Sequence, residues 1–113
     1  MDNSFALNGR IWLETANGKL LGKGRVELLE RIQQSGSLRQ AAVQMKMSYR
    51  QAWDMVNQMN LQFSSPVLIL NRGGKGGGSA QVTEKGLQVV AQFHAINKKF
   101  REFLAENQSA ISL

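Results

Sequence analysis

Ser37-Leu38-Arg39-Gln40-Ala41-Ala42-Val43-Gln44-Met45-Lys46-Met47-Ser48-Tyr49-Arg50-Gln51-Ala52 is the stretch that decides the fold. It carries one local signal twice. Ser37 with Gln40, and Ser48 with Gln51, are capping boxes, in which a hydroxyl and a glutamine side chain reciprocally satisfy backbone donors that a helix start leaves unpaired. Leu38, Ala41, Ala42 and Met45 recur at i, i+3, i+4 and i+7, which predicts a helix of about three turns with one narrow apolar stripe. The second box opens only three residues after Met45. Helices joined by so tight a turn cross steeply, as in a helix-turn-helix. The second helix places Ala52, Val56, Met59 and Phe63 on one face, with Trp53 expected as the anchor against the first helix and the preceding hairpin. Ser64-Ser65-Pro66 stops it.

On the N-terminal side, Arg10 to Thr15 alternates around Ile11 and Leu13, Asn17-Gly18 reads as a type I′ turn, and Lys19 to Leu21 returns, predicting a hairpin. After Gly22 and Gly24, residues Arg25 to Gln34 show helical spacing at Val26, Leu29 and Ile32, ended by Ser35-Gly36. On the C-terminal side, Val67 to Leu70 and Ala80 to Val82 read as strands around a loop, Arg72 to Ser79, with five glycines in eight residues. Thr83 caps a last helix from Glu84 to about Glu106, and the tail 107–113 is expected to fray. That helix has two apolar faces. Leu87, Val90 and Ala91 are expected to meet the domain. Val89, Phe93, Ile96, Phe100 and Phe103 recur at alternating spacings of four and three and are expected to form a dimer seam, because a helix of about 34 Å outruns so small a body.

With 113 residues, 42% of them apolar, the chain is expected to form one domain, 1–113, made of 9–82, the long helix 83–106 and the tail. Fourteen Lys and Arg against eight Asp and Glu give a net charge of +6, which points to a polyanionic partner. The excess is localised: residues 36–82 hold Arg39, Lys46, Arg50, Arg72 and Lys75 against Asp54 alone. The absence of cysteine excludes disulfides, thiol nucleophiles and thiolate metal sites, and the single His94 leaves little scope for acid-base pairs or a metal centre. Neither a signal-like start nor a membrane span of roughly 18 apolar residues is present, so a cytoplasmic, non-membrane protein is expected, and the want of a base, nucleophile or metal set makes it a non-enzymatic one.

These features favour duplex DNA as the partner. A helix presented by a tight turn fits a major groove while cations on flanking loops neutralise phosphates. Ser48, Tyr49, Arg50, Gln51 and Asp54 lie at the start of the presented helix, Arg39 on the helix before it. Arg50 can read guanine and Gln51 adenine through paired hydrogen bonds. A Gln51 engaged in capping cannot also read a base, which favours Arg50; a merely solvated basic face is the plain alternative. The loop refuses a phosphate-loop reading, since Lys75 is followed by Gly76 and no helix follows directly. Arg72 and Lys75 on a flexible wing along the sugar-phosphate backbone fit better than an inert hairpin tip. His94 is expected to be half exposed or at an interface. Met45, Met47, Met55 and Met59 are expected to be packing residues, and Glu27 and Glu30 part of a solvated face.

In this order of elements the chain resembles the N-terminal, winged helix-turn-helix domain of the ModE-type molybdate-responsive regulators, related to LysR-type winged helices. The resemblance rests on Ile11-Trp12-Leu13, Gly24-Arg25-Val26-Glu27-Leu28-Leu29, Gly36-Ser37, Met47-Ser48-Tyr49-Arg50-Gln51-Ala52-Trp53, Gly73-Gly74-Lys75-Gly76-Gly77-Gly78 and Val82-Thr83-Glu84-Lys85-Gly86. It implies a fold that is mainly α with small β-hairpins and a long C-terminal dimerisation helix. It also implies a homodimeric transcriptional regulator on a palindromic site, with Ser48, Tyr49 and Arg50 near the DNA and the wing on the backbone. Full-length members carry molybdate- or tungstate-binding domains for which 113 residues leave no room, so neither oxyanion, nor any other cofactor, is expected in this chain. Lys46 stands where the family usually has glycine. A left-handed residue there costs about 1–2 kcal/mol, which leaves an altered turn open. The competing function is a winged-helix interaction module that recruits a partner through the C-terminal helix.

Overall fold

The computed structural model describes residues 5–71 and 78–112. The elements run β1 (Leu13–Thr15), β2 (Gly18–Leu21), α1 (Lys23–Ser35), α2 (Leu38–Gln44), α3 (Tyr49–Gln62), β3 (Leu68–Asn71), β4 (Ser79–Val82) and α4 (Glu84–Glu106). The architecture is mainly α, with two separate antiparallel hairpins, β1-β2 and β3-β4. Every expected element is present, most with ends shifted by one or two residues.

Local chemistry accounts for the helix boundaries. Ser37, Ser48 and Thr83 each accept a hydrogen bond from the backbone N–H three residues on, at 3.1, 3.0 and 3.0 Å, so three of the four helices open on a side-chain cap. The glutamines do not reciprocate. The Ser37 N–H is taken by Ser35 Oγ at 3.2 Å, and no bond from Gln51 back to Ser48 is formed among the described residues. α1 ends where Gly36 turns left-handed, φ 70°, and returns its N–H to Ile32 at 2.7 Å.

α2 ends in a Schellman arrangement. Lys46 donates to the Val43 carbonyl and Met47 to the Ala42 carbonyl, at 3.1 and 3.0 Å. Lys46 therefore takes the left-handed conformation, φ 56°, despite its side chain. The turn is the one glycine would make, held by two carbonyls and by Met47 against the core.

The first hairpin differs from the expected type I′ turn. Thr15 pairs with Gly18, so Ala16-Asn17 forms the loop, and the left-handed position is Gly18 alone, φ 106°. One left-handed glycine after two ordinary residues is the pattern of a type I turn closed by a bulge.

The core gathers around α1, whose Leu28, Leu29 and Ile32 are wholly buried. Each such side chain contributes about 1.5–3 kcal/mol of burial. α2 adds Leu38, Ala41 and Ala42; α3 adds Ala52, Val56 and Met59; the second hairpin adds Leu68, Ala80 and Val82. The hairpins are fastened by polar groups as well. Ala80 donates to the Gly36 carbonyl at 2.9 Å, tying β4 to the α1-α2 junction. Gly86 lets α4 approach the second hairpin, since a Cβ there would lie 2.3 Å from the Val67 carbonyl oxygen.

Two packing expectations are corrected here. Trp53 remains 37% exposed and stands outside the core cluster, because its position lies at the edge of the α3 face that Ala52, Val56 and Met59 bury. The proposed seam on α4 is divided: Val89 and Phe93 belong to the chain's own core, and Phe100 is half buried. On the face expected to meet the domain, Leu87 is exposed and Val90 packs on the core only in part. The N-terminal segment causes part of this burial. It runs along the far half of α4, with Gly9 against the Phe100 ring, the Leu7 N–H donating to Gln108 Oε1 at 3.2 Å, and Gln108 Nε2 donating to the Phe5 carbonyl at 3.1 Å.

Candidate nucleic-acid interface

The start of α3 is presented by the chain of constraints just described. The left-handed Lys46 turns the backbone, Ser48 caps the new helix, and Ala52, Val56 and Met59 bury one face against the core. At 3.6 residues per turn the opposite face carries Arg50, Asp54, Asn57 and Leu61. Ser48, Tyr49, Arg50 and Gln51 are all exposed, and Asp54 is half buried.

Arg50 is held at one end only. Its Nε lies 3.3 Å from Asp54 Oδ1, one helical turn on, while the side chain stays 83% exposed. The pair adds little stability, since exposed helix pairs are worth about 0.3–0.5 kcal/mol. Its effect is directional: the carboxylate restrains the guanidinium and leaves the terminal nitrogens available. Those nitrogens are the fork that pairs with the O6 and N7 of guanine. Gln51, whose side chain makes no capping bond among the described residues, is exposed next to Arg50 in the chain.

Arg39 joins the same surface from α2. Its guanidinium carbon lies 4.7 Å from the Tyr49 ring centroid, a cation-π stack that binds the two helices across the turn and sets a positive charge beside the α3 start. The spacing of the two residues gave no hint of this stack, because it depends on the crossing of α2 and α3. Asn57 and Trp53 also reach the outer surface of α3 and were not singled out for the site. Asn57 was legible in principle, lying two turns beyond Arg50 on the same stripe.

The second hairpin narrows to the Asn71-Ser79 pair, where Asn71 Nδ2 donates to Ser79 Oγ at 3.3 Å. The expected phosphate contacts of Arg72 and Lys75 lie outside the described residues. Elsewhere, His94 is half exposed, 3.0 Å from Glu30 Oε2. Among the described residues no His/Cys/Asp/Glu group is arranged to hold a metal ion, and no described helix is long and apolar enough to cross a membrane.

Architecture and surface thus define a small, mainly α domain that displays the capped start of a helix with Arg50 and Arg39 beside it. No family model matches the chain. It is 35% identical over 95 residues to the molybdenum transport protein ModE of Azotobacter vinelandii, a match covering 84% of this chain and 35% of that protein. It is 32% identical over 110 residues to the molybdenum-pterin-binding protein MopA of Rhodobacter capsulatus, covering 97% of this chain and 42% of the relative. The transcriptional regulator ModE of Haemophilus influenzae is 49% identical over 59 residues, covering 52% of this chain and 23% of the relative. Over most of its length the chain is thus similar to part of ModE-type proteins. It spans between 23% and 42% of the length of these curated relatives.

Proposed function

We propose that the chain is a sequence-specific DNA-binding module of a transcriptional regulator, with a winged helix-turn-helix fold in which α2 and α3 form the helix pair and the β3-β4 hairpin the wing. α3 enters the major groove. Arg50 and Gln51 read base edges, Tyr49 and Ser48 approach the backbone, and Arg39 neutralises a nearby phosphate. The carrying observation is the one-ended restraint of Arg50: an exposed guanidinium steered by Asp54, with its fork unspent. On this reading the module reads DNA without molybdate or tungstate, and Ser48 and Tyr49 are placed by contacts within the chain, to Gln51 and Arg39.

We further propose that it acts as a homodimer on a palindromic site, with half-sites about 34 Å apart or a multiple of that. Ile96 and Phe103, 60% and 55% exposed on one flank of α4, support a seam there. The same two residues support the second reading, recruitment of a different protein through α4. Light scattering on the purified chain separates the two: a monomer at micromolar concentration counts against the homodimer.

The deciding experiment is in vitro selection of duplexes by the purified chain, with and without molybdate. A palindrome recovered equally in both arms is expected, and recovery of no consensus sinks the reading. Arg50→Ala should cost about 1–3 kcal/mol of discrimination while leaving non-specific binding nearly intact. Equal losses on selected and random duplexes would remove Arg50 from base readout.

A further inference from the structure

The two hairpins stand on opposite flanks of α3. On one flank the Asn60 carboxamide holds β3: Oδ1 accepts from the Val67 and Leu68 N–H groups at 2.8 and 3.3 Å, and Nδ2 donates to the Leu68 carbonyl at 3.0 Å. On the other flank Gln58 Oε1 accepts from the Arg25 guanidinium at 2.5 Å, and Gln62 bonds the Thr15 hydroxyl of the first hairpin. At 3.6 residues per turn, Asn60 and Gln62 project about half a turn apart. The outward stripe of Arg50, Asp54, Asn57 and Leu61 falls between them.

A duplex that admits α3 to its major groove, about 12 Å wide, runs one phosphate strand along each flank of the helix. The β3-β4 hairpin lies on one flank. The other is cationic. A cleft of about 260 Å³ there is lined by Arg10, Lys19, Lys23 and Arg25, with Met55 of α3 on its wall and no carboxylate in its lining. Arg25 is spent on structure, donating to the Lys19 and Leu20 carbonyls at 2.7 and 3.0 Å as well as to Gln58. It fastens β2 and α1 to α3, so the remaining cations move with the reading helix.

Arg10, Lys19 and Lys23 are all exposed. Glu14, which pairs with Lys19 across the hairpin, accepts from the Trp12 indole, while Lys19 Nζ lies 5.3 Å from the Trp12 ring centroid. The first turn of α1 contains no acidic residue, so its positive dipole end adds to the same potential.

We propose that the first hairpin and the start of α1 form a second phosphate-binding element, in which Lys19, Lys23 and Arg10 grip the DNA strand opposite the one met by the β3-β4 hairpin. The recognition helix is then clamped from both sides of its groove. This inference rests on the DNA-binding reading above.

The test is equilibrium binding to a selected duplex across a salt series. Lys19→Gln with Lys23→Gln removes two phosphate contacts, which lowers the slope of log K against log salt by about 1.8 units, so the affinity gap to the parent narrows about tenfold between about 50 and about 200 mM salt. Lys19→Arg with Lys23→Arg should keep the parent slope, and Lys98→Gln with Lys99→Gln on α4 should leave it unaltered. If the double glutamine variant melts early, Lys23→Gln alone gives the same readout at half the size. An unchanged slope in the glutamine variants, with Arg50→Ala still weakening sequence preference, overturns the second element and spares the DNA-binding reading. A parent chain with no affinity for duplex DNA overturns both.

Discussion

Phe93 and Phe103 sit ten residues apart on one helix and belong to one apolar repeat, yet they meet different surroundings. Phe93 is 9% exposed within the core cluster, near Val89 and α1, whereas Phe103 is 55% exposed on the far half of α4. The first half of α4 is anchored through Gly86 and Thr83, whose hydroxyl caps the helix and also donates to the Pro66 carbonyl at 2.6 Å. The far half is met by the extended N-terminal segment, which takes the side of Phe100 and leaves Ile96 and Phe103 uncovered. An apolar repeat states that a surface must be covered; the body of the domain reaches only part of it.

The contrast can be broken most forcefully at the anchored end. Phe93→Ala should lower unfolding free energy by about 3–5 kcal/mol, since a large buried side chain leaves a cavity; a melt within a degree of the parent would mean that this half is not core. Next in size, Gly86→Ala drives a Cβ toward the Val67 carbonyl and Val82, and should cost about 1–3 kcal/mol by denaturant titration. A neutral result would show that the close approach is not maintained. Lys46→Gly, at the turn between α2 and α3, should change stability in the opposite sense. It relieves a left-handed side chain, and a gain of up to about 1 kcal/mol in denaturant midpoint is expected. A loss there would mean that the lysine makes a compensating contact.

The smallest stability effect belongs to the far half. Phe103→Ser should alter the stability of dilute protein by no more than about 0.5 kcal/mol, as exposed positions do. If the proposed seam holds, it should still raise the dimer dissociation constant measured by sedimentation. A stable dimer in that variant would move the seam elsewhere, and a large loss of monomer stability would erase the difference between the two phenylalanines.

Much of the fold could be read locally. Ser37, Ser48 and Thr83 announce their helices because a cap needs only a hydroxyl and an N–H three residues away. The sequence left the turn at Lys46 open, and the structure gives it the left-handed conformation that glycine would take. Of the candidate site, Ser48, Tyr49, Arg50 and Gln51 come together as one exposed surface because they are neighbours in a single helix start. What escaped was long-range. Trp53 has the composition of an anchor and is only partly covered; Asn60 has the composition of a surface residue and holds β3 by three hydrogen bonds. The engagement of the N-terminal segment with α4 joins Leu7 to Gln108, and nothing in either neighbourhood signals the other.

The sequence by itself determined where helices begin and end, which face of α3 is buried and where positive charge accumulates, because caps, turns and periodicity act over a few residues. Tertiary structure alone decided which parts of the α4 stripe are covered, how Arg39 reaches Tyr49, and that two hairpins flank the presented helix. Those outcomes depend on distances between segments far apart in the chain, which are set when the core closes around α1 and are not encoded in the spacing of any one segment.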